Sequence, residues 1–168
     1  MIFVWFTFPR DYAKLAHSVV SVRNLAPEAK CVLVISSGDP APEIEEVEVM
    51  VRDFDRGIHL NGVAATIGVA EVLSSIESDV IVKIDSDMRV LHPFWLDGPV
   101  VFQRENSSFV GLYALPLAVT SILPCAIQDT PSVLLHEGMA MGWVARNHGV
   151  RVEQCSRIPS CIQFISKL

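Results

Sequence analysis

Two carboxylates one residue apart, at the abrupt end of an apolar run, are the groups in this chain best placed for chemistry. The stretch is Asp79-Val80-Ile81-Val82-Lys83-Ile84-Asp85-Ser86-Asp87. Its branched apolar residues read as a central strand of a parallel sheet, because strands buried on both faces lose polar alternation. Asp85 and Asp87 then lie where the strand ends, which is where open α/β sheets bind ligands. Two hard oxygen ligands can hold Mg²⁺ or Mn²⁺ and still leave coordination positions for phosphate oxygens. Ser86 is small enough to let a diphosphate approach. The expected ligand is a metal-bound nucleoside diphosphate. Lys83 is out of place in an apolar strand; it either snorkels to the sheet edge or neutralises a neighbouring carboxylate.

The elements that must position this pair alternate in type along the chain. Ile2–Phe8 reads as a first strand, stopped by Pro9. Asp11 is suited to cap a helix to about Leu25, with Leu15, Val19, Val22 and Leu25 on one stripe and Pro27 beyond. Cys31–Ile35 follows as a strand closed by the turn signal Ser36-Ser37-Gly38-Asp39-Pro40. Val47–Val51 alternates as a less buried strand, Asn61-Gly62 opens an Ala-rich helix to about Ile76, and Asp79–Ile84 is the fourth strand. Beyond Asp87, Pro93 to Pro99 reads as a loop or short helix with Phe94 and Trp95 turned inward. Val100–Gln103 and Phe109–Leu115 read as strands antiparallel to the rest. Leu134 to Gly149 reads as a helix with Gly149 at its left-handed stop and Glu137 near its first turn, and Val150 to Cys155 as a last strand. The alternation predicts an α/β fold, a doubly wound and mostly parallel sheet in one domain.

Composition narrows the class. A chain of 168 residues, 51% apolar and 19% charged, buries a real core and is not disordered. A formal charge of −6 argues against a nucleic-acid partner, which calls for a basic face. Cys31, Cys125, Cys155 and Cys161 lack zinc spacing, and Cys155 with Cys161 reads as two core thiols. The apolar opening lacks a basic flank and falls far short of the roughly 20 residues that span a bilayer. The expected location is the cytoplasm. High mean hydropathy leaves room for an oligomer interface (a homo-oligomer) or a peripheral membrane contact.

Several segments together resemble the nucleotide-diphospho-sugar glycosyltransferases of the GT-A fold, over residues 1 to about 155. Asp85-Ser86-Asp87 is similar to that family's DxD motif. Arg56-Gly57 followed by Asn61-Gly62 and an Ala-rich helix resembles the stretch before the DxD strand. Phe109-Val110-Gly111-Leu112-Tyr113-Ala114-Leu115-Pro116 resembles the strand flanking the acceptor side. His136-Glu137-Gly138 resembles the acidic "ED" helix start, with His136 in the first acid's place.

The resemblance implies a Rossmann-like, mostly parallel sheet flanked by helices, with a small antiparallel addition after the DxD motif. It implies transfer of a sugar from a nucleotide-diphosphate donor to a sugar, lipid or protein acceptor, assisted by Mn²⁺ or Mg²⁺ at Asp85 and Asp87. Asp87 would be the direct ligand, and Asp85 would contact ribose or metal-bound water. Glu137 would be the general base, with His136 as fallback. Thr7, Pro9 and Arg10 would meet base and ribose, Asp39 the base, Arg56 the diphosphate or a sugar hydroxyl, and Asn61 the base or its own helix start.

Each residue also has a plainer reading. Asp39 before Pro40 is a turn former, Asn61 a helix cap, Arg56 a solvated charge, and Glu137 a carboxylate complementing a helix dipole. A haloacid dehalogenase-type phosphatase also uses Asp-x-Asp after an apolar strand, but on its first strand rather than the fourth. A catalytically silent nucleotide-sugar-binding or scaffold module is the alternative function. It fits the absence of any histidine after His148 and of the first acid of the "ED" pair.

Overall fold

The computed structural model describes residues 1–53, 63–104, 109–130, 137–155 and 159–165. In chain order the strands are β1 (Ile2–Phe6), β2 (Lys30–Ser36), β3 (Val47–Arg52), β4 (Val80–Ile84), β5 (Met88–Val90), β6 (Val100–Arg104), β7 (Phe109–Pro116), β8 (Arg151–Cys155) and β9 (Ile162–Phe164). The α-helices are α1 (Tyr12–Leu25), α2 (Val63–Ser74), α3 (Leu117–Thr120), α4 (Leu123–Gln128) and α5 (Glu137–Asn147).

Seven strands form one mixed sheet in the order β3-β2-β1-β4-β7-β6-β8, and β5 pairs with β9 in a separate ribbon. β3, β2, β1 and β4 run parallel, β7 runs against both β4 and β6, and β8 lies parallel to β6. The sheet is therefore mostly parallel and compatible with a Rossmann-like fold. The expectation that both β6 and β7 oppose the rest needs correction. Only β7 does, since two successive reversals return β6 to the direction of β4.

The sheet is buried on both faces, as the unbroken apolar runs of β1, β2 and β4 require. On one face Val4, Phe6, Val32, Val34, Ile81, Tyr113 and Leu115 pack with Val69 and Leu73 of α2, Ile127 of α4, and Met141 and Val144 of α5. On the other, Phe3, Trp5, Leu33, Val82 and Ile84 pack with Leu15, Val19 and Val22 of α1, with Phe94 and Trp95, and with Met88, Val90 and Ile162 of the ribbon. Cys31 and Cys161 belong to this second layer. Among the described residues no helix is long and apolar enough to cross a membrane.

Local chemistry sets the boundaries. β1 stops at Phe6 rather than Phe8, because a 3₁₀ turn at Pro9–Asp11 intervenes, although the Thr7 N–H still donates to Val34 C=O at 3.1 Å. Asp11 stands at the start of α1 but makes no capping bond there; its carboxylate is instead 3.5 Å from Arg10 and 4.0 Å from Lys14. Gly149, at φ +73°, ends α5, and the Val150 N–H reaches back to Ala145 C=O at 2.8 Å, closing the left-handed cap.

Candidate functional site

The chain passes from β1 out through β2 to β3, then returns to place β4 on the other side of β1. That reversal is a topological switch point, and the carboxyl ends of the two strands flanking it border a crevice. The register pairs Val4 with Lys83, which brings Asp85 level with Phe6, just before Thr7. Thr7 at the end of β1 and Asp85-Ser86-Asp87 at the end of β4 therefore sit on the two sides of one crevice.

The sheet also carries a buried charge cluster to this edge. The side chain of Lys83 is 1% exposed, and its ammonium donates to Asp85 Oδ1 and lies 3.4 Å from Glu137 Oε1. The Tyr113 hydroxyl donates to the same Glu137 oxygen at 2.8 Å. Lys83 and Tyr113 are cross-strand partners on β4 and β7, so both project to the face that α5 covers. Glu137 is the first residue of α5 and shares its buried face with Ala140, Met141 and Val144, the i+3, i+4 and i+7 positions. Only 4% of its side chain is exposed, against 30% for Asp85.

Electrostatics follow from this arrangement. Burial pulls the Lys83 ammonium down, but the Asp85 and Glu137 carboxylates outweigh it, and its pKa lies above the usual lysine value. Burial, then the charge on Glu137 and the hydrogen bond to it, raise the Tyr113 phenol well above its ordinary range. Asp87 is half-buried. Desolvation, then the Asp85 carboxylate, raise its carboxyl above the usual aspartate value, while Lys14 on α1 partly offsets them.

The backbone around the pair is pinned. Asp85 C=O accepts from the Met88 N–H at 3.1 Å, and Asp87 C=O from the Ile165 N–H at 2.7 Å. The ribbon is held to α1 by Ser21, whose hydroxyl accepts from the Val90 N–H at 2.9 Å. Gly111 on β7 gives Asp85 its place: a β-carbon there would fall 1.8–2.1 Å from three atoms of the Asp85 carboxyl group. Gly111→Ala is accordingly expected to displace Asp85 from Lys83 and cost about 1–3 kcal/mol, as overpacking does. Urea denaturation would read this as a lowered midpoint at unchanged slope.

The structure brings together some expected site residues and separates others. Asp85 and Asp87 follow β4 and Thr7 follows β1, at the carboxyl ends of the two strands flanking the switch point. Glu137 is linked to Asp85 through Lys83. Pro9 and Arg10 lie in the 3₁₀ turn after β1, with Arg10 78% exposed and its guanidinium 5.7 Å from the Phe8 ring centre. Asp39 lies in the turn after β2, and the Tyr12 hydroxyl at the start of α1 donates to Pro40 C=O beside it at 2.6 Å. His136, Arg56 and Asn61 lie outside the described residues.

Apart from Thr7, which was expected to meet base and ribose, the following features were not singled out from the sequence. Thr7 Oγ1, Ser36 Oγ and Thr66 Oγ1 are buried without a hydrogen-bond partner among the described residues. Thr7 and Ser36 close β1 and β2 at the same sheet edge as Asp85, where a polar ligand would satisfy them. Tyr113 and Gly111 also escaped, since neither a phenol nor a glycine in an apolar strand signals that it faces a carboxylate.

Neither a protein-family model nor a curated protein matches the chain. Among the described residues no group of three or more His, Cys, Asp or Glu side chains is arranged to hold a metal ion. Any cation at the β4 end would thus rest on two carboxylates and complete its shell with ligand oxygens and water, a pattern typical of Mg²⁺ sites that also carry phosphates.

Proposed function

We propose that the chain is a glycosyltransferase of GT-A type that moves a sugar from a nucleotide-diphosphate donor to an acceptor hydroxyl. The observation carrying this reading is the placement of Asp85 and Asp87 at the carboxyl end of β4, on the switch crevice between β1 and β4. The antiparallel β7 and the small β5–β9 ribbon are consistent with the antiparallel addition expected after the motif.

The donor set suits a divalent cation. Around Lys83 the carboxylates of Asp85 and Glu137 outnumber the buried ammonium, Asp87 lies near Asp85 with Lys14 as its cationic neighbour, and the Asp85 and Asp87 oxygens are hard ligands. Lys83 engages Oδ1 of Asp85, which favours Asp87 as the direct ligand and Asp85 as the ribose or water contact. A Mn²⁺ or Mg²⁺ ion there would supply Lewis-acid stabilisation of the charge developing on the departing diphosphate. The Thr7 and Ser36 hydroxyls offer hydrogen bonds to the nucleoside, and the exposed Arg10 offers a planar fork to phosphate oxygens. In the transfer, the acceptor oxygen forms a bond to the anomeric carbon while the bond from that carbon to the phosphate oxygen breaks. The electron pair leaves with the nucleoside diphosphate, and Glu137 takes the acceptor proton.

Asp87→Asn tests the reading. The substitution is expected to abolish cation-dependent binding of UDP or GDP in calorimetry while circular dichroism stays native. Asp87 adds a sign that can be checked. Its carboxyl is raised in the fold, so ionising it lowers stability as pH rises through its folded value. Removing the charge should therefore leave the cation-free protein at least as heat-stable as wild type at pH 7. Undiminished nucleotide affinity in the variant would sink the metal-site reading.

One observation favours a second reading, a silent nucleotide-sugar-binding module. Glu137 is enclosed and already accepts from Tyr113 and Lys83 at Oε1, which limits its access to an acceptor. Donor hydrolysis or transfer with Mn²⁺ separates the two, since a binding module shows neither.

A further inference from the structure

Among the charges of the site, Lys83 is the one placed to connect its two halves. Its Cα belongs to β4, the strand that ends in the Asp85–Asp87 pair, and its ammonium reaches both Asp85 and the first residue of α5. Asp85 at a strand terminus would otherwise sample several rotamers. Here its carboxyl group lies in the space that Gly111 leaves by lacking a β-carbon, with Lys83 on Oδ1. Glu137 is held from two strands at once, by Lys83 of β4 and Tyr113 of β7.

We propose that Lys83 is a positioning residue that locks the Asp85 carboxylate over Gly111 and ties it to Glu137, so that the donor side and the start of α5 are preorganised as one unit. The inference rests on the proposed donor site and adds a residue to it. Lys83 touches no substrate in this role. It acts through Asp85, as groups behind a ligand orient the ligand itself. A ligand meeting a fixed Asp85 does not have to immobilise it on binding, which strengthens association.

The test compares Lys83→Met/Glu137→Gln with Glu137→Gln alone. The pair of neutral replacements keeps the shape of the cluster and removes one positive and one negative charge together, so folding is protected in a way that Lys83→Met alone does not allow. Calorimetry with UDP and with GDP, each with Mn²⁺, should show the double variant binding about 10–100-fold more weakly than Glu137→Gln, the usual penalty for losing such a supporting group. Equal affinity in the two variants overturns the inference and leaves the donor reading intact. Absence of binding by the wild-type chain to either nucleotide overturns both. A crystal structure of the wild-type chain with Mn²⁺ and the nucleotide that binds gives a second check independent of any variant. Lys83 should remain within hydrogen-bond distance of Asp85, and an Asp85 that has turned away from Lys83 towards the ligand also overturns the inference.

Discussion

Lys83→Met is expected to destabilise the fold by about 3–5 kcal/mol, the cost of breaking a buried ion pair from one side. The side chain is 1% exposed, so water cannot take over its role. Removing it leaves Asp85 and Glu137 close together with no buried cation between them. Against the 5–15 kcal/mol that typically separates folded from unfolded domains, roughly such a loss is a large share of the total. Urea denaturation at pH 7 would show it as a lowered midpoint, and adding Glu137→Gln should restore much of the loss by removing one uncompensated charge. A shift below about 1 kcal/mol would mean that the Lys83 contacts contribute little to stability.

The same cluster has a pH signature with a definite sign. The Lys83 pKa is raised in the fold above its ordinary 10.5, so its contribution is fully present below that value and lost as pH rises through the folded value. Tyr113 acts in the same direction. Its phenol is held neutral well above its ordinary 10.0, so the unfolded chain loses that proton first and stability falls with rising pH. Wild type should therefore lose stability more steeply above pH 10 than Lys83→Met, which lacks the lysine contribution and keeps those of Tyr113 and the raised Cys31 and Cys161 thiols. Parallel slopes in the two proteins would remove Lys83 from the account.

Much of the fold was legible because its signals are local. The apolar runs of β1, β2 and β4 mark strands buried on both faces, and the Leu15, Val19 and Val22 stripe marks the buried side of α1. Phe94 and Trp95 also turn inward as expected, each against aromatic neighbours. What escaped depends on long-range geometry. Strand β9 is three residues long, too short for a period to show, and exists through its pairing with β5. The capping role expected of Asp11 failed because Arg10 and Lys14 draw its carboxylate towards the surface.

The candidate site divides along the same line. Asp85 and Asp87 announce themselves by ending an apolar strand, and Lys83 by interrupting one. The charge on Lys83 was expected either to escape to the edge or to meet a carboxylate; it meets two, one just past the end of its own strand and one from α5, more than fifty residues later. No spacing rule links Lys83 to Glu137 or Tyr113, because β7 must first pair with β4 and α5 must then dock on that face. The space at Gly111 likewise has meaning only once Leu112 stands opposite Ile84.

Glu137→Gln is the variant that separates transfer from binding. Gln keeps an oxygen to accept from Tyr113, now 2.8 Å away, and from Lys83 at 3.4 Å, while Lys83 retains its bond to Asp85. The stability change should be small, roughly the 1 kcal/mol between a charged and a neutral hydrogen bond, with a loss of about 0.3–1 kcal/mol from the helix terminus. Asp87 and Thr7 stand on other elements, so cation-dependent nucleotide affinity is expected to survive within a few-fold. Turnover with a competent acceptor should fall by roughly 10²–10⁴, the worth of a positioned proton acceptor. Intact donor affinity with lost transfer assigns Glu137 to the acceptor proton. If affinity falls along with transfer, Glu137 serves the donor side, acting through Lys83 on Asp85. Should both stay at wild-type levels, Glu137 is an anchor for Lys83 and Tyr113 alone, and the proton passes to His136 or to a group on the substrate.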